Sequence, residues 1–183
     1  MSITLVTGAA NSGKSEWAEY LASQSDKSVF YIATAQKIED DIEWQRKIEL
    51  HQARRPKNWI TLEITHNLPS AISEIPPDTC ILVDSLGTYV ANYLPQNDDD
   101  WQKQVNLLLT NCRKCGKKII FVGEETGWGV VPAYPSGRSF RSRLGRLIRL
   151  LGAIAHEVYL VVGGYAVDVS KIGVSLASLS DSD

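Results

Sequence analysis

Gly8-Ala9-Ala10-Asn11-Ser12-Gly13-Lys14-Ser15 follows the apolar run Ile3 to Thr7 and precedes a helical stretch, Glu16 to Ser23. The octet fits G-x-x-x-x-G-K-[ST], and its place between a strand and a helix is where that spacing has a physical use. Gly8 and Gly13 allow backbone angles that turn successive N–H groups inward. Lys14 reaches the β- and γ-phosphates of a nucleotide, the Ser15 hydroxyl can hold magnesium, and the next helix brings the positive end of its dipole. Each part answers a charge on a triphosphate. The spacing therefore predicts a phosphate-binding loop from Gly8 to Ser15.

Outward from this loop, short apolar and β-branched runs alternate with helical stretches: Val29 to Ala33, Trp59 to Ile64, Cys80 to Asp84, Ile119 to Gly123 and Val158 to Val162. The alternation predicts an α/β protein of the P-loop NTPase type, three-layered, with a mostly parallel central sheet and helices on both faces. The runs from Ile3, Cys80, Ile119 and Val158 are almost wholly apolar, as strands covered on both sides must be, and are placed at the centre of the sheet. Helices are expected over Ile38 to Ala53, Leu86 to Leu94, Trp101 to Cys115 and Ser139 to Ala155. In the last, Phe140, Leu144, Leu147, Ile148 and Leu151 share one side, and Arg138, Arg146 and Arg149 the other. Gly127 to Gly137 reads as an irregular loop of the kind that serves active sites. One catalytic domain is expected over residues 1–172, with a frayed tail over 173–183.

A phosphate-binding loop needs a carboxylate to share its metal, expected at the end of an apolar strand beside the first. Ile81-Leu82-Val83-Asp84 supplies one. The same position also suits a helix cap, so Asp84 carries both readings. Taken together, these residues point to a magnesium–nucleoside triphosphate and to phosphoryl or nucleotidyl transfer. They do not name the acceptor.

Composition narrows the partners. The chain has 183 residues, with 19 Lys+Arg against 21 Asp+Glu for a formal net charge of −2. A nucleic-acid-binding module is usually basic, so nucleic acid is not an expected partner. No apolar run approaches the ~18–20 residues of a membrane span, and the start has no signal-peptide pattern. A cytoplasmic location is expected. The 3 cysteines make no paired framework, and Cys112-Arg-Lys-Cys115 lacks the second ligand pair that zinc needs. All three are read as reduced, with Cys112 and Cys115 as two thiols near a helix end.

Beyond the loop, the sequence resembles the bifunctional adenosylcobinamide kinase/adenosylcobinamide-phosphate guanylyltransferase family. The resemblance runs from about residue 3 to about residue 169. It rests on Leu5-Val6-Thr7-Gly8, on Tyr31-Ile32-Ala33-Thr34-Ala35, and on Ile48-Glu49-Leu50-His51-Gln52-Ala53-Arg54-Arg55-Pro56 with Trp59. It continues through Leu82-Val83-Asp84-Ser85-Leu86, Glu125-Thr126-Gly127-Trp128-Gly129-Val130-Val131-Pro132, Phe140-Arg141 and Glu157 to Val162. Their order and spacing together carry the specificity.

The resemblance implies two reactions of cobalamin assembly at one nucleotide site, with ATP and GTP as substrates. A nucleoside triphosphate phosphorylates the aminopropanol hydroxyl of adenosylcobinamide. GTP then donates GMP to adenosylcobinamide phosphate through a guanylylated histidine, which matches His51. The chemistry is sound, because an imidazole largely neutral near pH 7 has a free nitrogen to attack the α-phosphorus. The residues alone do not select His51 over His66 or His156. Trp44, Ile48 and His51 share a helix side, which equally suits a packed histidine. Family precedent also implies guanine and ribose contacts near Ala33, Thr34 and Ala35, around Arg54 and Arg55, and at Glu63, and it implies a homo-oligomer, a homotrimer in form.

The sequence departs from the family pattern at Asn11, where Arg is usual, at Glu124-Glu125 in place of Asn-Glu, and at Leu147-Ile148-Arg149 in place of Leu-Asn-Gln. Arg138, Arg141, Arg143 and Arg146 suit a clamp for a phosphorylated acceptor or solvated helix charges. A kinase for another small alcohol and a non-catalytic nucleotide switch remain as alternatives at this stage.

Overall fold

The structure is a computed structural model and describes residues 2–36 and 40–176. In chain order its elements are β1 (Ser2–Gly8), α1 (Lys14–Ser23), β2 (Ser28–Ala33), α2 (Ile42–Arg54), β3 (Ile60–Glu63), α3 (Leu68–Glu74), β4 (Thr79–Asp84), α4 (Leu86–Asn92), α5 (Asp98–Lys114), β5 (Lys118–Glu124), α6 (Pro135–Gly152), β6 (Glu157–Val162), β7 (Tyr165–Asp168) and α7 (Val169–Ile172). They build one 7-stranded sheet in the order β3-β2-β4-β5-β1-β6-β7. All neighbours are parallel except β6 and β7, which form an antiparallel hairpin.

Alternation along the strands sends side chains into two apolar layers. Ile3, Leu5, Ile81, Val83, Ile119 and Phe121 pack with α3 to α6 on one face. Val6, Leu82, Ile120 and Val122 pack with Ala18 and Ala22 of α1 on the other. A fully buried Leu or Ile contributes roughly 1.5–3 kcal/mol relative to an exposed one, so these faces hold the sheet. The four all-apolar strands do lie side by side, as β4-β5-β1-β6.

Helix ends differ from the sequence expectation for local reasons. Helix α5 starts at Asp98, because the Asn97 side chain accepts from Asp100 N, which satisfies an otherwise orphaned N–H. Helix α6 starts at Pro135, so Pro135 to Gly137 form its first turn rather than the end of a loop; proline suits that position. Helix α2 starts at Ile42, capped by Asp41, and the start expected at Ile38 lies outside the described residues. Three elements went unread in the sequence: α3, the strand β7 and the short α7. The last occupies the end of the expected domain; of the expected tail, residues 173–176 are described, and residues 177–183 are not.

The order of the sheet also corrects an expectation. Asp84 was expected on a strand beside β1, yet β5 lies between β1 and β4. Helix α1 bridges that gap by packing across β1, β5 and β4, which brings its first turn over the end of β4.

Candidate active site

Gly8 to Ser15 connect β1 to α1, and the strain of the connection falls on particular residues. Gly13 caps α1 with φ of 92°, a left-handed angle that glycine adopts without a Cβ clash. A Cβ on Gly8 would overlap both Ser12 Oγ and the Val161 carbonyl. Asn11 also has positive φ, at 58°, which asparagine tolerates better than most residues. Ala9, Ala10 and Asn11 are exposed. Ser12 Oγ is buried and finds no hydrogen-bond partner among the described residues. Lys14 Nζ donates to Ala9 O at 3.2 Å.

Beyond the loop lies a cavity of about 190 Å³. Lys14 and Ser15 line one side, Asp84, Ser85 and Glu124 the strand ends, and α2 another side through Trp44, Ile48, His51 and Gln52. Trp44, Ile48 and His51 follow the helical spacing that puts them on one face. No described residue of α2 is buried, and polar contacts tie the helix to the body. Trp44 Nε1 donates to Gln36 O at 2.8 Å. Arg54 pairs with Glu16 and Glu19 of α1, each at 3.4 Å.

Asp84 is the meeting point. Its Oδ1 accepts from Ser15 Oγ at 3.5 Å, its Oδ2 accepts from the Tyr31 hydroxyl at 2.6 Å, and His51 Nδ1 stands 3.7 Å from Oδ2. Burial pushes the Asp84 carboxyl up, but interaction with His51 and Tyr31 and the charge of Lys14 outweigh it and hold the group below the usual carboxylate range. Burial, then the Asp84 charge, pushes the Tyr31 phenol up. Ser85 is the cap of α4, in a capping box with Thr88, so the helix-cap reading of Asp84 is removed. Glu124 supports this junction: its Oε1 accepts from Ser85 Oγ at 2.5 Å and its Oε2 from Gly87 N at 2.8 Å.

The other sequence candidates divide. Ala33, Ala35, Arg55 and Glu63 line the cavity, and the Arg55 guanidinium lies over the Tyr31 ring, 3.7 Å from its centroid. Thr34 does not line it: its side chain is fully buried and donates to Ser85 O at 2.6 Å, while its carbonyl accepts from Asn92 Nδ2 at 2.9 Å. Arg54 does not line it either, because its guanidinium is committed to the two glutamates of α1. Neither His66 nor His156 is in the cavity. His66 packs on Tyr93, and His156 Nδ1 accepts from Ile3 N at 3.1 Å.

Of the four arginines of the expected clamp, Arg138, Arg141 and Arg146 line one groove with Arg149, and Arg143 does not. Arg143 is buried and donates to Tyr93 O at 2.8 Å and to Gln96 O and Asp98 Oδ1 at 2.7 and 2.8 Å. Arg138 bonds the Pro132 and Ala133 carbonyls, and Arg141 those of Gly127 and Gly129. These three stiffen the connections before α5 and α6. Sequence reading missed Tyr31 and Glu124 as site residues; for Tyr31 the signal was its two-residue spacing from Ala33 in one strand, which puts both on one face.

A family model described as cobinamide kinase / cobinamide phosphate guanyltransferase matches residues 4–169. The chain belongs to that family. Among its relatives in the family, the bifunctional adenosylcobalamin biosynthesis protein CobU of Escherichia coli is 37% identical over 180 residues, covering 90% of this chain and 98% of that protein. CobU of Salmonella typhimurium is 36% identical over the same span. CobP of Pseudomonas aeruginosa is 38% identical over 162 residues, covering 87% and 92%. Membership in the cobinamide kinase / cobinamide phosphate guanyltransferase family makes the protein a nucleotide-using transferase of cobalamin biosynthesis. A solved structure from Pyrococcus horikoshii OT3 has a TM-score of 0.53 at 10% identity, covering 92% of this chain and 85% of that one, a likeness of fold alone.

Proposed function

We propose that one cavity runs both reactions, phosphorylating adenosylcobinamide with a nucleoside triphosphate and then transferring GMP from GTP to adenosylcobinamide phosphate, with His51 as the residue that carries GMP. One observation supports the assignment above the rest. Of the 3 histidines, His51 is the one whose side chain lines the cavity with Lys14, Ser15 and Asp84.

In the kinase step the acceptor hydroxyl attacks the γ-phosphorus, loses its proton, and releases the nucleoside diphosphate. Lys14 neutralises charge on the β- and γ-phosphates, and the N–H groups of the Gly8 to Ser15 loop and the start of α1 hold their oxygens. In the second reaction a His51 ring nitrogen forms a bond to the α-phosphorus of GTP as the bond to pyrophosphate breaks. The phosphate of adenosylcobinamide phosphate then attacks the same phosphorus. The N–P bond breaks, leaving adenosylcobinamide-GDP and free His51. Nδ1 faces the Asp84 carboxylate at 3.7 Å, and the tautomer that keeps its proton on Nδ1 toward that carboxylate leaves the Nε2 lone pair free for attack.

Ser15 Oγ and the Asp84 carboxylate offer hard oxygen donors on either side of a 3.5 Å gap, a set that suits magnesium. Magnesium held there with the phosphates would neutralise the charge that develops on the leaving group. Ala33, Ala35, Arg55 and Glu63 are assigned to the base and ribose, because they line the same cavity. Thr34 and Arg54 are assigned to support of those walls. A homo-oligomer is supported by exposed apolar side chains at Trp128, Val130, Val131 and Tyr134 on one loop. A cytoplasmic site is supported by the supply of both nucleotides there and by the lack, among the described residues, of a helix long and apolar enough to cross a membrane.

The test is incubation with α-labelled GTP and magnesium, followed by mapping of the labelled residue. An acid-labile GMP adduct on His51 is expected. No adduct in the wild-type protein would leave a simple kinase or a nucleotide switch.

A further inference from the structure

Glu19 of α1 has no part in the reactions above, yet it faces His51 and Asp84 across the α1–α2 contact. One donor atom from each of Glu19, His51 and Asp84 lies within 4.8 Å of the other two. The Glu19 and Asp84 side chains are largely withdrawn from solvent, at 14% and 9% exposure. A cation already sits at this triangle: Arg54 Nη2 is 3.4 Å from Glu19 Oε1 and 3.3 Å from His51 Nδ1. The other arm of the guanidinium reaches the exposed Glu16, which gives Arg54 a partner when it swings outward.

We propose that Glu19, His51 Nδ1 and Asp84 Oδ2 form a binding site for a first-row transition-metal dication, such as zinc or cobalt, which displaces Arg54 and silences His51. The donor chemistry selects this class. One imidazole nitrogen with two carboxylates suits zinc and cobalt, whereas magnesium favours an all-oxygen set and keeps its waters. Ligands about 2.1 Å from a tetrahedral ion lie about 3.4 Å apart, so side-chain movement of up to roughly 1.4 Å closes the triangle. The site is distinct in its donors from the Ser15–Asp84 pair and shares with it only the Asp84 carboxylate. Its charges are complementary, since two carboxylates balance a dication once Arg54 has moved.

The consequence for GMP transfer rests on the proposed function. A neutral imidazole bound to metal through Nδ1 carries its proton on Nε2, so it has no lone pair left to attack phosphorus. The metal therefore blocks adduct formation without breaking a covalent bond, and a chelator restores it.

The direct test needs no nucleotide. Cobalt(II) is titrated into the full-length protein and the visible d–d absorption of the bound ion is followed, with zinc added afterwards to displace it. Saturable bands are expected in the wild-type protein, with affinity weakened at least about tenfold in Glu19→Gln and in His51→Ala. In Arg54→Ala, which removes the competing cation, affinity should rise. His66→Ala and His156→Ala should bind as the wild type does. Binding unchanged in both Glu19→Gln and His51→Ala, weaker binding in Arg54→Ala, or intense thiolate-to-cobalt charge transfer from Cys115 would overturn the site. A second arm measures the GMP adduct with and without micromolar zinc: loss in the wild type and persistence in Glu19→Gln are expected. Cobalt bands with the expected variant pattern, but no adduct under any condition, would keep the metal site and reject the GMP-carrier reading. An adduct on His51 with no cobalt bands would do the reverse.

Discussion

The Tyr31 hydroxyl donates a 2.6 Å hydrogen bond to Asp84 Oδ2, joining β2 to the last residue of the neighbouring strand β4. The phenol is almost fully buried, and its ring carries the Arg55 guanidinium on one face. One side chain thus fixes both the carboxylate of the site and a basic residue of the cavity wall.

Tyr31→Phe should destabilise the protein by about 1.5–3 kcal/mol, the range for a hydrogen bond to a charged group. At this chain length that lowers Tm by about 2–4 °C per kcal/mol. Burial raises the Tyr31 phenol above its ordinary value of 10.0. A folded-state value above the unfolded one gives stability that is whole below the unfolded value and drains away as pH rises beyond it. The wild-type protein should therefore lose stability above about pH 10. The Phe variant should lose less over that window, because Tyr89, raised by burial in the same way, remains. Thermal melts of both proteins between pH 8 and 11 check this, and parallel curves would refute it.

Arg143 and Asp98 form an ion pair at 2.8 Å with unequal partners, since Arg143 is 9% exposed and Asp98 90%. Asp98→Ala should cost under about 1 kcal/mol, as exposed charges do. Arg143→Ala should cost more, about 2–4 kcal/mol, because it also leaves the Tyr93 and Gln96 carbonyls without their donor. Denaturant unfolding of the two variants reads the difference. Equal losses would mean that the ion pair, not the carbonyls, carries the contribution.

Asp84→Asn separates metal binding from folding less cleanly than a surface carboxylate would. The amide removes one acceptor charge from Tyr31 and His51 as well as from Ser15. The expected outcome is a magnesium requirement shifted upward at least about tenfold in both half-reactions, together with a loss of stability on the scale of Tyr31→Phe. Ser15→Ala keeps the Tyr31–Asp84 bond and should move the magnesium titration while leaving the melt nearly unchanged. If neither variant alters the magnesium dependence, the Ser15–Asp84 pair does not hold the ion.

What was legible in the sequence was what neighbouring residues decide. The Gly8 to Ser15 loop is eight consecutive residues, and two-residue alternation sorts Val6 and Ile3 into opposite layers. Strand order is not local, so the insertion of β5 between β1 and β4 had no signature in either strand. The burial of Arg143 was equally hidden. Periodicity describes α6 alone, whereas the Tyr93 and Gln96 carbonyls that draw the guanidinium inward belong to the α4–α5 connection. The turn of Thr34 away from the cavity was hidden too, because Ala33-Thr34-Ala35 leaves the sheet with Thr34 facing Ser85 and Asn92. The β6–β7 hairpin does have a local signature: Gly163-Gly164, both with positive φ, lies between paired Val162 and Tyr165, a composition that favours a two-residue turn. The grouping of Glu19, His51 and Asp84 required α1, α2 and β4 to converge, and no spacing within one segment encodes that.

His51→Ala should separate the two activities. Attack at the α-phosphorus in the proposed route needs a covalent partner, and neither His66 nor His156 reaches the cavity to replace it. Loss of the GMP adduct, and of guanylyl transfer by at least about 10³-fold, is expected. Phosphorylation of adenosylcobinamide should fall far less, because γ-phosphoryl transfer goes straight to the acceptor hydroxyl and draws on Lys14 and the loop N–H groups. Removing the imidazole also frees Asp84 Oδ2 of its neighbour at 3.7 Å, and some change in magnesium dependence is therefore expected in the kinase step. Lys14→Ala supplies the opposite pattern, lowering both activities together. His66→Ala should change neither. The assignment fails if an adduct persists in His51→Ala or maps to another residue. Should both activities collapse together in His51→Ala while its melt matches the wild type, the imidazole serves the shared nucleotide site rather than carrying GMP.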